Sequence, residues 1–180
     1  AVSRSIAYEV FANSSGQWIG RVSIMYDHRG DFDWKTTRYR TYTRVYAPAG
    51  SELLSVSGNW LNDKAQNLAR APGTVDTAEE LGLVSFGTFT SVDPGERNTL
   101  VFEFTLAPSV TDAIATGAYN LTVLKQAGAR NHALTIDLKF DKKLSHASPA
   151  EASEEWGDDV YRLNTILSQD LVINVELEGE

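Results

Sequence analysis

The sequence predicts an all-β domain of the sandwich type, Ig-like in a broad sense, with two mostly antiparallel sheets and short helical insertions. Three observations carry this. Apolar residues alternate with polar ones in short runs along most of the chain, the period of a half-buried strand. The runs are separated at regular intervals by Gly, Pro, Asn and Asp, the residues that turns require. The hydrophobic fraction of 42% over 180 residues suffices for a core that needs no covalent staple.

The runs follow in order. Ile6, Tyr8 and Val10 alternate with Ala7 and Glu9, and Val22, Ile24 and Tyr26 repeat the pattern. Thr41 to Tyr46 forms a third run, closed by Pro48 and Gly50, and Leu53 to Val56 a fourth. Phe86 to Leu106 reads as a hairpin around Asp93-Pro94-Gly95-Glu96. Proline there pre-sets φ and glycine supplies positive φ, as a type II turn needs. On its return strand Leu100, Phe102, Phe104 and Leu106 share one face. Tyr119, Leu121 and Val123, then Leu134, Ile136, Leu138 and Phe140, and finally Leu171 to Leu177 complete roughly nine or ten strands. A hydrophobic terminal strand at a sheet edge would be open to pairing between molecules.

Two stretches break the alternation. Within 59–82, residues 63–70 read as a short helix, and Asp76-Thr77-Ala78-Glu79 resembles a capping box ahead of a further turn. Residues 145–159 carry Glu151, Glu154, Glu155, Asp158 and Asp159 and read as a solvated acidic loop. No internal repeat or linker divides the chain, so 1–180 is expected to be a single β-sandwich domain.

Composition removes whole classes of chemistry. Without cysteine there is no disulfide and no thiolate-held metal. A net charge of -8 repels nucleic-acid backbones, so no nucleic-acid partner is expected. No run reaches the length of a membrane span, so direct membrane insertion by this segment is not expected either. The start at Ala1, without methionine, is expected of a piece of a longer chain. The histidines, His28, His132 and His146, are far apart, and no nucleophile elbow, phosphate-binding loop, paired-His motif or dinucleotide fingerprint occurs. No catalytic residue and no cofactor are expected.

Binding chemistry is more legible. Arg38, Arg40, Tyr42, Arg44 and Tyr46 fall on one face by alternation, and no acid interrupts Lys35 to Tyr46. Such a ladder suits bidentate docking of anionic polymers. The commoner arrangement for such residues is an exposed sheet face neutralised by acids of a neighbouring strand. Trp34, Trp60 and Trp156 stand at loop or strand-end positions, while Trp18 opens a strand. Such rings either stack on sugars or plug the open end of a core. Asp27, Asp31 and Asp33 crowd a turn and form a weak calcium candidate, though their spacing departs from the established loop pattern. Lys125 extends the apolar face of Tyr119, Leu121 and Val123 and reads as a strand-end lysine whose ammonium reaches water.

Several of these segments together resemble a known family. They are 34–53, with the Arg/Tyr strand; Phe86-Gly87-Thr88-Phe89 leading to Pro94-Gly95-Glu96; 100–104; and Tyr161, Asn164, Leu167 and Asp170 in that order. They are similar to the C-terminal region of the bacterial domain-of-unknown-function family numbered 4012. The chain departs from that family at Ala127, where a proline is usual. The resemblance implies an extracytoplasmic location at the cell surface, as part of a longer membrane-anchored protein. It carries over no catalytic residue. The expected function is a non-catalytic structural or protein-interaction module. Its partners would be another surface protein or, in the alternative, a glycan or cell-wall polymer held by the ladder and the tryptophans. A glycan-processing domain acting through paired carboxylates is the third reading.

Overall fold

Alternation places an unbroken apolar face on one large sheet, and that face organises the molecule. The computed structural model describes residues 2–61 and 71–179. These residues form twelve strands: β1 (Val2–Ala12), β2 (Trp18–His28), β3 (Tyr39–Pro48), β4 (Glu52–Ser57), β5 (Val75–Glu80), β6 (Leu83–Val92), β7 (Arg97–Thr105), β8 (Ala118–Val123), β9 (His132–Lys139), β10 (Leu144–Ser148), β11 (Val160–Leu167) and β12 (Leu171–Leu177). Among the described residues there is one helix, α1 (Pro108–Ala115), which joins β7 to β8.

A six-stranded sheet in the order β11-β9-β1-β2-β7-β4 forms the floor. Only β1 and β9 run parallel in it. Its register aligns Ile6, Tyr8 and Val10 of β1 with Ile24, Val22 and Gly20 of β2 and with Leu134, Ile136 and Leu138 of β9. The β2 residues in turn face Leu100, Phe102 and Phe104 of β7. These side chains all point to one side. The other side carries Glu9, Arg21, Glu103, Asp137 and Arg162 and faces water.

Two three-stranded sheets, β3-β6-β5 and β10-β12-β8, share the apolar side of the floor. The first presents Val45, Ala47, Val84 and Phe86, and the second Tyr119, Ala147, Ile173 and Val175, to one continuous core. Phe86 meets Phe104 at 5.8 Å between ring centres, and Tyr119 meets Phe140 at 5.7 Å. Two hydroxyl pairs tie the layers: Tyr26 with Thr43 at 2.8 Å, and Tyr8 with Tyr119 at 3.0 Å. Burial pushes the Tyr8 phenol up to about 12. The all-β sandwich expectation is therefore met, with the second layer split into two sheets.

Several local expectations differ from what is found. The turn at 93–96 forms as expected, with Gly95 at φ +80° and the Glu96 amide donating to the Asp93 carbonyl at 3.0 Å. However, β6 and β7 do not pair; β6 lies between β3 and β5, and β7 between β2 and β4. The turn sends the chain from one layer to the other. The capping-box segment at Asp76 is strand β5, because pairing with β6 outweighs local helix signals. Strand β10 occupies the start of the stretch read as acidic loop. The terminal strand β12 is central in its sheet, between β10 and β8, so its ladder is satisfied on both sides. The segment 63–70 lies outside the described residues. Helix α1 is not expected from the alternation; it has Pro108 at its start and Gly117, at φ +93°, just past its end.

Phe102 is fully buried where the floor meets β4 and the first upper sheet. Phe102→Ala should cost about 3–5 kcal/mol. It should lower the urea midpoint without changing the slope of the transition.

Candidate functional site

The apolar alternation of the floor breaks at one end, in two strands at once. Arg4 takes the inward position that continues Val10, Tyr8 and Ile6 along β1. His132 takes the equivalent position ahead of Leu134, Ile136 and Leu138 on β9, and is only 7% exposed. The parallel register of β1 and β9 sets the two side by side. Arg4 Nη2 lies 2.8 Å from His132 Nε2. A guanidinium only donates, so Nε2 accepts and the imidazole is neutral with its proton on Nδ1. Burial, then the charges of Arg4 and Lys125, push the His132 pKa below its ordinary value.

These residues sit at one end of the seam between the two upper sheets. Tyr39 enters from β3, and Arg130 and Asn131 from the connection between β8 and β9. Together with Arg4, His132 and Ser3 they line a hollow of about 220 Å³. Arg4 makes two further contacts, to Gln126 Oε1 at 3.5 Å and to the hydroxyl of Tyr26, its register partner on β2. Arg130 is exposed. Among the described residues no Asp or Glu forms an ion pair with Arg4 or Arg130. Lys125 adds charge nearby. Its Nζ donates to the carbonyls of Gln126 and Ala129, at 3.1 and 2.6 Å, and its backbone N–H donates to Asp170 Oδ1. A protein of net charge -8 thus carries, at this end, two guanidiniums without carboxylate partners among the described residues.

The Arg/Tyr ladder has a different environment. Arg38 forms two parallel hydrogen bonds to Asp93, and both side chains are largely buried. Tyr42 Oη donates to Asp76 Oδ2 of β5 at 2.8 Å, passing over Gly87 of β6. A Cβ at Gly87 would overlap the Tyr42 ring and hydroxyl. Tyr42 also meets Phe89 edge-on at 4.8 Å. Arg44 stacks on Tyr42 at 5.5 Å and lies 3.8 Å from Glu80, whose other oxygen accepts from Tyr46 Oη at 3.4 Å. Arg40 is exposed on the same face. Most of the ladder is therefore engaged by acids of the β5 edge and the 93–96 turn.

The tryptophans do not converge either. Trp34 is 88% exposed, with Lys35 Nζ 4.3 Å above its ring. Trp60 is half-buried and its backbone bridges to Pro72, while Trp156 is exposed in the loop before β11. Trp18 packs against Phe140 at the end of the core. Of the calcium candidates, Asp27 is bonded to Arg29 at 2.7 Å and Arg97 at 3.1 Å, and these hold its carboxyl below the usual range. Asp33 Oδ1 accepts from the backbone amides of Lys35 and Thr36. Among the described residues, no group of three or more His, Asp or Glu side chains is placed to hold a metal ion. Two carboxylates do face each other: Glu9 and Asp137, opposite in the β1–β9 register, line an outer hollow of about 250 Å³. Arg21 lies across that face, 3.4 Å from Glu9 and 2.7 Å from Glu103.

No protein-family model matches the chain, and no curated protein matches it. Among solved structures, the backbone is similar to native leukotriene A4 hydrolase from Saccharomyces cerevisiae, at 10% identity and a TM-score of 0.44, over 96% of this chain and 28% of that one. It is also similar to a two-domain M1 zinc metallopeptidase bound to L-tryptophan, at 11% identity and 0.42, over 97% and 42%. A third is an M1 zinc metallopeptidase from Deinococcus radiodurans, at 10% and 0.40, over 97% and 41%. The chain spans less than half of each, and none of their chemistry is carried to it.

The buried neutral His132 has a consequence for stability. The unfolded chain takes up a proton as pH falls below about 6.5, whereas the folded state resists it, so stability is present above that value and lost below it. Unfolding midpoints measured between about pH 7.5 and 5.5 should fall, and fall less steeply in His132→Gln, whose amide oxygen still accepts from Arg4. On the ladder, Gly87→Ala should displace Tyr42 and cost about 1–3 kcal/mol by overpacking, read from the same midpoints.

Proposed function

We propose that this chain is a non-catalytic module of a longer, membrane-anchored bacterial cell-surface protein, and that it binds an anionic group of a cell-envelope polymer or glycan at the cationic seam. The observation that carries this is the inward-facing Arg4 beside buried His132, joined by Arg130, with no carboxylate paired to either guanidinium among the described residues. Placing an arginine and a histidine on an otherwise apolar face works against folding, and such local violations mark functional positions. The surface location rests on the family resemblance of the Arg/Tyr strand, the Pro-Gly turn and the terminal strands. Relative to the ladder, the seam is the better docking point, because its guanidiniums are not already held by acids.

A second reading, a protein-interaction module, is favoured by one feature. The two-residue turn between β5 and β6 holds Leu81 at φ +54°, fully exposed, beside Gly82. Asparagine or glycine adopts that conformation at less cost. Leu81→Asn should therefore stabilise the fold by about 1 kcal/mol. A loss of partner-protein binding in that variant would support this reading.

The first reading is tested by co-sedimentation with anionic cell-wall polymer at low and high salt. Wild type should sediment at low salt and be released at high salt, since screening weakens ion pairing. Arg130→Ala should weaken binding about tenfold, while Arg40→Ala with Arg44→Ala should leave it in place. The reverse pattern would move the binding face to the ladder.

A further inference from the structure

We infer that the group the seam accepts is a phosphoryl oxyanion rather than a carboxylate; this rests on the anion-binding reading above and narrows it. Residues that carry donors line the hollow from three separate parts of the chain. Ser3 and Arg4 come from β1, Tyr39 from β3, and Arg130 and Asn131 from the β8–β9 connection. A carboxylate offers two oxygens in one plane, and a single guanidinium fork matches both. The second guanidinium, the phenol and the amide that the other lining segments carry are then surplus. A phosphoryl group spreads its strong acceptor oxygens tetrahedrally and uses donors converging from several directions.

The charge pattern agrees. Arg4 contacts only neutral groups among the described residues: His132, the Tyr26 hydroxyl and, at longer range, Gln126, so its charge is not offset. Arg130 has no side-chain hydrogen bond or ion pair among the described residues, so its five donors remain for a ligand. The charges acting on His132 are Arg4 on β1 and Lys125 on the β8–β9 connection; both are positive and both disfavour its protonation. An oxyanion placed between Arg4 and Arg130 offsets that repulsion.

The test is titration of the purified chain, at low ionic strength, with inorganic phosphate, glycerol phosphate, poly(glycerol phosphate) and galacturonate. Binding is followed by calorimetry and by amide shifts of 3–4 and 129–132. Phosphate-bearing probes should bind and displace wall polymer, with galacturonate about tenfold weaker or more. Arg130→Ala, whose side chain supports nothing in the fold, should weaken phosphate about tenfold, and Arg4→Lys, which keeps charge but loses the fork, should weaken it too. Preference for the polymer over inorganic phosphate would name a wall polymer as the source, and the converse a small phosphate ester or free phosphate; both outcomes support the assignment. Galacturonate binding as tightly as phosphate would overturn it while leaving the anion-binding reading intact. No binding by any probe would overturn both, and phosphate binding unaffected by either variant would remove the assignment to this seam.

Discussion

Burial of one face of the six-stranded floor is the constraint on which the rest of the molecule depends. That face is too wide for either three-stranded sheet to cover alone, so both lie on it side by side. The core is continuous beneath them although the upper layer is divided. Each upper sheet is also tied down by a tyrosine hydroxyl from the floor, Tyr26 to one and Tyr8 to the other. Buried hydroxyls left unpaired would cost stability, so these pairs fix the position of each upper sheet as well as its contact. Phe86, Phe104, Tyr119 and Phe140 supply the large apolar surfaces on the two sides.

A divided upper layer leaves a seam, and the chemistry gathers at one end of it. Inward positions elsewhere on β1 and β9 are apolar because they are covered. At Arg4 and His132 the cover gives way to Tyr39 and the β8–β9 connection, and polar groups replace the apolar ones. The Arg4–His132 hydrogen bond satisfies the imidazole Nε2, and the same guanidinium contacts Tyr26 and Gln126, with no carboxylate among its partners in the described residues, where it lines the hollow. The opposite sheet surface shows how the same residue types behave when water reaches them. There Glu9, Arg21 and Glu103 alternate in charge across adjacent strands and neutralise one another.

The Arg/Tyr strand illustrates the same distinction on the upper layer. By sequence it is the most cationic stretch of the chain. In the fold, β6 separates β3 from β5, and the absence of a side chain at Gly87 lets Tyr42 reach across to Asp76. Glu80 receives Arg44 and Tyr46 from the same strand, and Asp93 receives Arg38. The acids responsible lie in segments whose sequence gives no hint that they belong beside β3.

By itself the sequence determined what depends on local periodicity and local backbone preference. The β class, the faces of β1, β2, β7, β9 and β12, and the turn at 93–96 all follow from alternation and from the φ values that proline and glycine favour. Strands β5 and β10 escaped because their side chains are mostly polar or exposed and only pairing makes them strands. What pairs with what was decided by the tertiary structure: of the nine strand pairings among the described residues, only β1–β2 and β5–β6 join neighbours in the chain. The turn after β6 illustrates the reason, since a turn reverses the chain without choosing the layer in which the next strand lies. The candidate site has the same origin. An arginine ahead of Ile6, Tyr8 and Val10, and a histidine ahead of Leu134, Ile136 and Leu138, are visible as breaks in two alternating runs. That the two breaks meet at 2.8 Å follows only from the parallel register of β1 and β9, a contact across 128 positions that no local pattern encodes.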